Sequence, residues 1–192
     1  KLASALIKKN ISRGNTVSTL LLNTPAMLEA HYGIPMCGSV IHAINTRIEA
    51  SAIAFQLDHA DSKILIFDKE LSSLVNEALS LVKSLPILIQ YNDTQCDYSD
   101  SNASVNHEVI DYENFLETGD DDFQWLMPED EWDAISVGYT SGTTGNPKGV
   151  VSHHRGAYLL AQGNALVASM EKYSVYLWTL PMFHCNGWCF PW

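Results

Sequence analysis

Gly38-Ser39-Val40-Ile41-His42-Ala43-Ile44-Asn45-Thr46, followed by Ile48, Ala52, Phe55, Gln56 and His59 and then by Lys63-Ile64-Leu65-Ile66-Phe67-Asp68, decides the fold. The first run is apolar and of strand length, and Asn45-Thr46 supplies polar helix-start chemistry behind it. Apolar residues then recur three and four apart as far as His59, the spacing of one helix face. A second continuous apolar run, Lys63 to Phe67, is closed by Asp68. Strand, helix and strand follow one another within about 30 residues, the length of a parallel crossover unit.

The same rhythm extends in both directions. Upstream, Val17 to Leu22 reads as a strand. Asn23-Thr24-Pro25 then offers a polar cap with proline at the first helical position, and a helix is expected from about Ala26 to Tyr32, ended by Gly33 and Pro35. Downstream, Leu71, Leu74, Val75, Ala78, Leu81 and Val82 form a third helical stripe before a fourth strand at Pro86-Ile87-Leu88-Ile89. Alternation of this kind predicts an α/β fold, a mostly parallel sheet flanked by helices on both faces. Three regions are expected: an α/β subdomain over 1–90, an acidic connecting segment over 91–133 and a further segment over 134–192.

Composition narrows the function classes. With 46% hydrophobic and 17% charged residues, the 192 residues can bury a real core. The net charge of −11 argues against a nucleic-acid partner, which would be held by clustered Lys and Arg. Between Tyr91 and Asp133 lie 14 of the 22 acidic residues and no Lys or Arg, a pattern expected of a solvated surface loop. Asp111 to Glu117 reads as a short helix within it. No apolar run reaches the roughly 20 residues of a membrane span. Four cysteines, Cys37, Cys96, Cys185 and Cys189, suit a reducing compartment better than a stapled secreted fold, so the Asn-x-Ser/Thr triplets at Asn10, Asn92 and Asn102 read as chance. Lys1 in place of Met, and an apolar stretch ending at Trp192, read as cut ends.

Tyr139-Thr140-Ser141-Gly142-Thr143-Thr144-Gly145-Asn146-Pro147-Lys148-Gly149-Val150 carries the chemistry. Ala134 to Tyr139 and Gly149 to Ser152 have strand composition, so Thr140 to Lys148 joins two extended segments: a strand–loop–strand unit. Gly142 and Gly145 let successive N–H groups converge on an anion, Ser141, Thr143 and Thr144 add hydroxyl donors, and Lys148 adds positive charge. A polyoxygen anion such as the β,γ-phosphates of ATP would use so many donors in so few residues; the rival reading is an ordinary Gly/Ser/Thr turn. Spacing excludes a Walker A loop, because Lys148 follows Pro147 and leads into a β run. A nucleophile elbow fails because Ser141 stands one position too late after Gly138. No Gly-x-Gly-x-x-Gly opens a helix after a strand.

This stretch resembles the signature of the adenylate-forming superfamily of acyl-CoA synthetases, luciferases and peptide-synthetase adenylation domains. Tyr176-Leu177-Trp178-Thr179-Leu180-Pro181-Met182-Phe183-His184 resembles the family's second core motif, and Asn23-Thr24-Pro25 with His31 to Pro35 its N-terminal subdomain. The resemblance implies part of the large N-terminal domain of such an enzyme, with 134–192 holding the phosphate loop and the start of the acyl-pocket region. It implies phosphate contacts from Thr140, Ser141, Gly142, Thr143, Thr144, Gly145 and Lys148, and places His184 between the nucleotide and acyl pockets, where a packed core histidine is the alternative. Pro181 to Phe190 looks most like plant-type acyl-activating enzymes.

The implied reaction joins a small carboxylic acid to coenzyme A through an acyl-adenylate made from ATP with Mg2+. It leaves the oligomeric state open and the compartment intracellular, peroxisomal or cytoplasmic. Adenylation with a different acceptor and a non-catalytic truncated product are the alternatives. His153, His154, Cys185 and Cys189 lack metal-site spacing, so no metal site is expected. Trp178, Trp188, Phe190 and Trp192 suit either an aromatic acyl pocket or ordinary core.

Overall fold

A computed structural model describes residues 1–96, 104–140, 147–184 and 192. Among these residues seven strands form one sheet: β1 (Thr16–Leu20), β2 (Val40–Ala43), β3 (Ser62–Asp68), β4 (Ile87–Tyr91), β5 (Ile110–Asp111), β6 (Ala134–Thr140) and β7 (Lys148–His153). Their spatial order is β5-β4-β3-β1-β2-β6-β7. Every neighbouring pair is parallel except β6 with β7. Val40–Ala43 is buried throughout, and β3 is buried from Ile64 to Asp68, as expected of central strands covered on both faces.

The helices are α1 (Leu2–Lys8), α2 (Pro25–Met36), α3 (Ala50–His59), α4 (Ser72–Leu79), α5 (Tyr112–Glu117) and α6 (His154–Val167), with a 3-10 turn at Lys69–Leu71. From β1 the chain steps to β2 on one side and then returns to β3 on the other. Right-handed crossovers in opposite directions put their helices on opposite faces. Leu2, Leu6, Met27, Ile34 and Phe115 accordingly share one core with Val17, Ile41 and Ile64. Ile53, Leu57, Val75 and Leu79 share the other with Leu20, Leu65 and Phe67.

Helix α2 runs past the expected stop. Gly33 lies inside it because a Cβ there would come within 2.7–2.8 Å of the Leu2 side chain, so the glycine permits close approach of α1 rather than ending α2. Pro35 occupies the last turn, where its missing N–H costs one helical bond. The His31 carbonyl four residues earlier instead accepts from the Trp192 indole, 2.9 Å away. Helix α3 begins at Ala50, later than expected, because the Asn45 side chain accepts from the Arg47 N–H at 2.9 Å and closes its own turn.

The acidic segment is not a free loop. From β5 at one edge of the sheet it returns across α1 to β6. Glu117 pairs with Lys1 at 2.8 Å, Asp120 with Lys8 at 2.7 Å, and Glu129 and Asp133 with Arg13 at 3.3 and 3.8 Å. Each exposed pair contributes little alone; burial of Tyr112 and Phe115 and the Leu126 N–H donating to the Met36 carbonyl at 2.8 Å anchor the crossover.

Candidate functional site

Strand β6 runs parallel to β2, so its end at Thr140 lies at the same carboxyl edge of the sheet as the turn leaving β1. Ligands of open parallel sheets bind outside that edge. Antiparallel β7 starts there with Lys148, whose Cα partner on β6 is Thr140. The strand–loop–strand unit therefore forms from the sequence on either side of the loop, with the Thr140 and Lys148 side chains both exposed at its mouth. Ser141, Gly142, Thr143, Thr144 and Gly145, expected to bind phosphate, lie outside the described residues.

The carboxyl end of β6 is braced by two imidazoles. The Tyr139 hydroxyl and His59 Nδ1 share a hydrogen bond of 2.7 Å, and the Tyr139 ring leans on the His42 ring with centroids 5.0 Å apart. Partial burial holds the Tyr139 phenol above its ordinary pKa. His42 is fully buried and paired on both nitrogens, with Gln56 Oε1 3.3 Å from Nε2 and Ser18 Oγ 2.8 Å from Nδ1. An amide oxygen only accepts, so Nε2 carries the proton and Nδ1 accepts from the Ser18 hydroxyl. Ser62 Oγ completes the chain 2.5 Å from Ser18 Oγ. Burial pushes the His42 pKa down to about 4, so the ring is neutral at pH 7.

His184 is exposed, one residue beyond Phe183, in a turn closed by its N–H donating to the Pro181 carbonyl at 3.0 Å. Met182 beside it is buried in the α1–α2 core. Asn23, read from sequence as part of the helix start, instead reaches this segment: its Nδ2 donates to the Leu180 carbonyl at 2.9 Å and its Oδ1 accepts from the Met182 N–H at 2.8 Å. Thr24 caps α2 without a side-chain hydrogen bond. No local signal in the sequence separates this pairing from an ordinary helix-start asparagine. Thr140 and Lys148 from β6 and β7, and His184 by way of Asn23 beyond β1, thus belong to one edge of the sheet.

Trp178 and Trp192 pack against the α1–α2 core, whereas Trp188, Phe190, Cys185 and Cys189 lie outside the described residues. An open groove of about 210 Å³ between α2 and the connector, with Tyr32, Met36, Trp125 and Leu126 in its walls, reaches Ile135 at the start of β6. It lies away from Thr140 at the strand's far end. Among the described residues no three His, Cys, Asp or Glu side chains gather as a metal cage, and no helix is long and apolar enough to cross a membrane.

The family model for AMP-binding enzymes matches residues 1–192. The chain is 48% identical over 199 aligned positions to the peroxisomal acetate/butyrate–CoA ligase AAE7 of Arabidopsis thaliana, covering 100% of the chain and 35% of that protein. It is 46% identical to the acetate–CoA ligase CCL3 of Humulus lupulus, covering 99% of the chain and 35% of that protein. The chain therefore spans about a third of the length of these curated relatives. A long-chain-fatty-acid–CoA ligase of Archaeoglobus fulgidus superposes with a TM-score of 0.80 at 20% identity, over 99% of this chain and 35% of that one, which shows the shared fold. The chain belongs to the AMP-binding enzyme family, and its seven-stranded sheet is the N-terminal-domain fold of adenylate-forming enzymes.

Proposed function

We propose that this chain supplies the phosphate-gripping and acid-side portion of an ATP-dependent carboxylic acid–CoA ligase. One observation carries the reading: β6 and β7 present Thr140 and Lys148 opposite each other at the carboxyl edge of the sheet, at the two ends of a Gly/Ser/Thr segment. In the first step a carboxylate oxygen attacks the α-phosphorus of ATP, and the bond to the bridging oxygen breaks, giving acyl-AMP and pyrophosphate. In the second the coenzyme A thiol, losing its proton, attacks the acyl carbon and expels AMP, leaving the thioester.

Charge builds on the β,γ-phosphates as pyrophosphate leaves. Lys148 and the hydroxyl and N–H donors from Thr140 to Gly145 are positioned in sequence to neutralise it, a preorganised electrostatic task worth several kcal/mol. A magnesium ion would enter on the phosphates of ATP, and no step is assigned to a protein-held ion. His184 is proposed to face the acid. The relatives' names support acetate or butyrate as the acid, and that of AAE7 supports the peroxisome as the compartment, with the cytoplasm as the alternative.

The test is ATP–pyrophosphate exchange with acetate, butyrate and benzoate, using a full-length ligase that carries this chain. Lys148→Ala should slow exchange about 100-fold, the usual effect of losing one transition-state charge contact. An unchanged rate would remove the loop from the mechanism.

A further inference from the structure

We propose that Asn23 is a positioning residue for the acid side of the site, holding Leu180 to His184 against the turn that leaves β1. This rests on the reading that His184 faces the acid. The Asn23 amide uses its donor on the Leu180 carbonyl at 2.9 Å and its acceptor on the Met182 N–H at 2.8 Å, bracketing Pro181 from both sides. The two partners are 157 and 159 residues away in sequence. Nothing in the local turn needs that side chain, since α2 starts on Pro25 and its cap residue is Thr24.

The geometry is specific to an asparagine. Pro181 has no N–H to offer a neighbouring strand, and the segment enters no strand of the sheet. Its seat is made from side chains: Met182 buried in the core, Phe183 packed beside it, and Asn23 supplying the backbone pairing a sheet neighbour would otherwise give. An aspartate has the same shape but no donor, and would set a carboxylate against the Leu180 carbonyl. A glutamine is one methylene too long to hold both partners in the same register.

Because Thr140 and Lys148 hang on β6 and β7, while Leu180 to His184 hang on Asn23, the two halves of the site separate in kinetics. In ATP–pyrophosphate exchange with butyrate, Asn23→Ala should raise the KM for butyrate about 10-fold, as expected for two lost hydrogen bonds. The KM for ATP should stay within about twofold. Simple loss of folded enzyme would lower kcat without touching either KM. His184→Ala alone should raise the butyrate KM to a similar extent, and the double variant should be no worse than His184→Ala, because residues acting through one another are non-additive.

An unchanged butyrate KM in Asn23→Ala, with a raised one in His184→Ala, would overturn the role of Asn23 and leave that of His184 standing. An unchanged butyrate KM in His184→Ala would overturn the acid-facing reading itself, and with it any action of Asn23 through His184. Equal increases in both KM values would also overturn the proposal. If Asn23→Ala does not fold, Asn23→Asp carries the same comparison.

Discussion

Tyr139 is the last residue before Thr140, and its hydroxyl is tied to an element that is not its strand neighbour. The bond to His59 at 2.7 Å fastens the end of β6 to the end of α3, and the ring lies against buried His42. Tyr139→Phe keeps the ring on His42 and removes only the bond to His59. One hydrogen bond of this kind contributes about 1 kcal/mol net. The loop root should therefore loosen without the sheet coming apart. In pyrophosphate exchange by a full-length ligase carrying this chain, the KM for ATP should rise roughly fivefold while that for the carboxylic acid stays constant. A raised acid KM with an unchanged ATP KM would contradict this bracing of the proposed phosphate side.

At the scale of elements, the contact between α1 and α2 turns on Gly33. Its missing side chain lets Leu2 approach to a distance no Cβ tolerates. Gly33→Ala gains helix propensity but overpacks this contact, and overpacking costs about 1–3 kcal/mol against roughly 1 kcal/mol gained. A net fall in the urea midpoint with an unchanged slope is expected, and a rise would mean that α1 can shift freely. This residue also shows what the sequence could and could not convey. Glycine and proline near the end of an apolar stripe signal a helix stop by local chemistry, and only knowledge of Leu2, far earlier in the chain, reverses that reading. The apolar runs of β2 and β3 were legible because strands buried on both faces need no alternation. The short β5 and the uncapped α1 carry no comparable local signal. Thr140 and Lys148 were legible as ends of a loop because strand composition flanks both. The Asn23 pairing was not, because a turn asparagine looks the same whether it caps its own helix or a chain 157 residues away.

Across the molecule, the sheet and its α1–α2 layer each bury an imidazole that must stay neutral. His42 sits in the sheet and His31 in α2, with Nδ1 of His31 donating to the Met27 carbonyl at 2.8 Å. Burial depresses both pKa values from 6.5 to about 4. Above pH 6.5 the two rings are neutral whether the chain is folded or not, so they add no pH dependence there. Between 6.5 and about 4 the unfolded chain takes up protons that the folded chain refuses, and stability falls as pH falls. Each ring accounts for a loss of roughly 3 kcal/mol across that window. Asp120 is held below the ordinary carboxylate range chiefly by its hydrogen bond from Lys8, so its contribution disappears only at pH values below that window. Burial raises the pKa of Asp68, which opposes the loss near the acid end. The urea midpoint should therefore be nearly level from pH 8 to 6.5 and drop steadily toward pH 4.5. A midpoint that holds level to pH 4.5 would mean that neither imidazole is buried neutral, and the polar chain from Ser62 through Ser18 to His42 would then need another explanation.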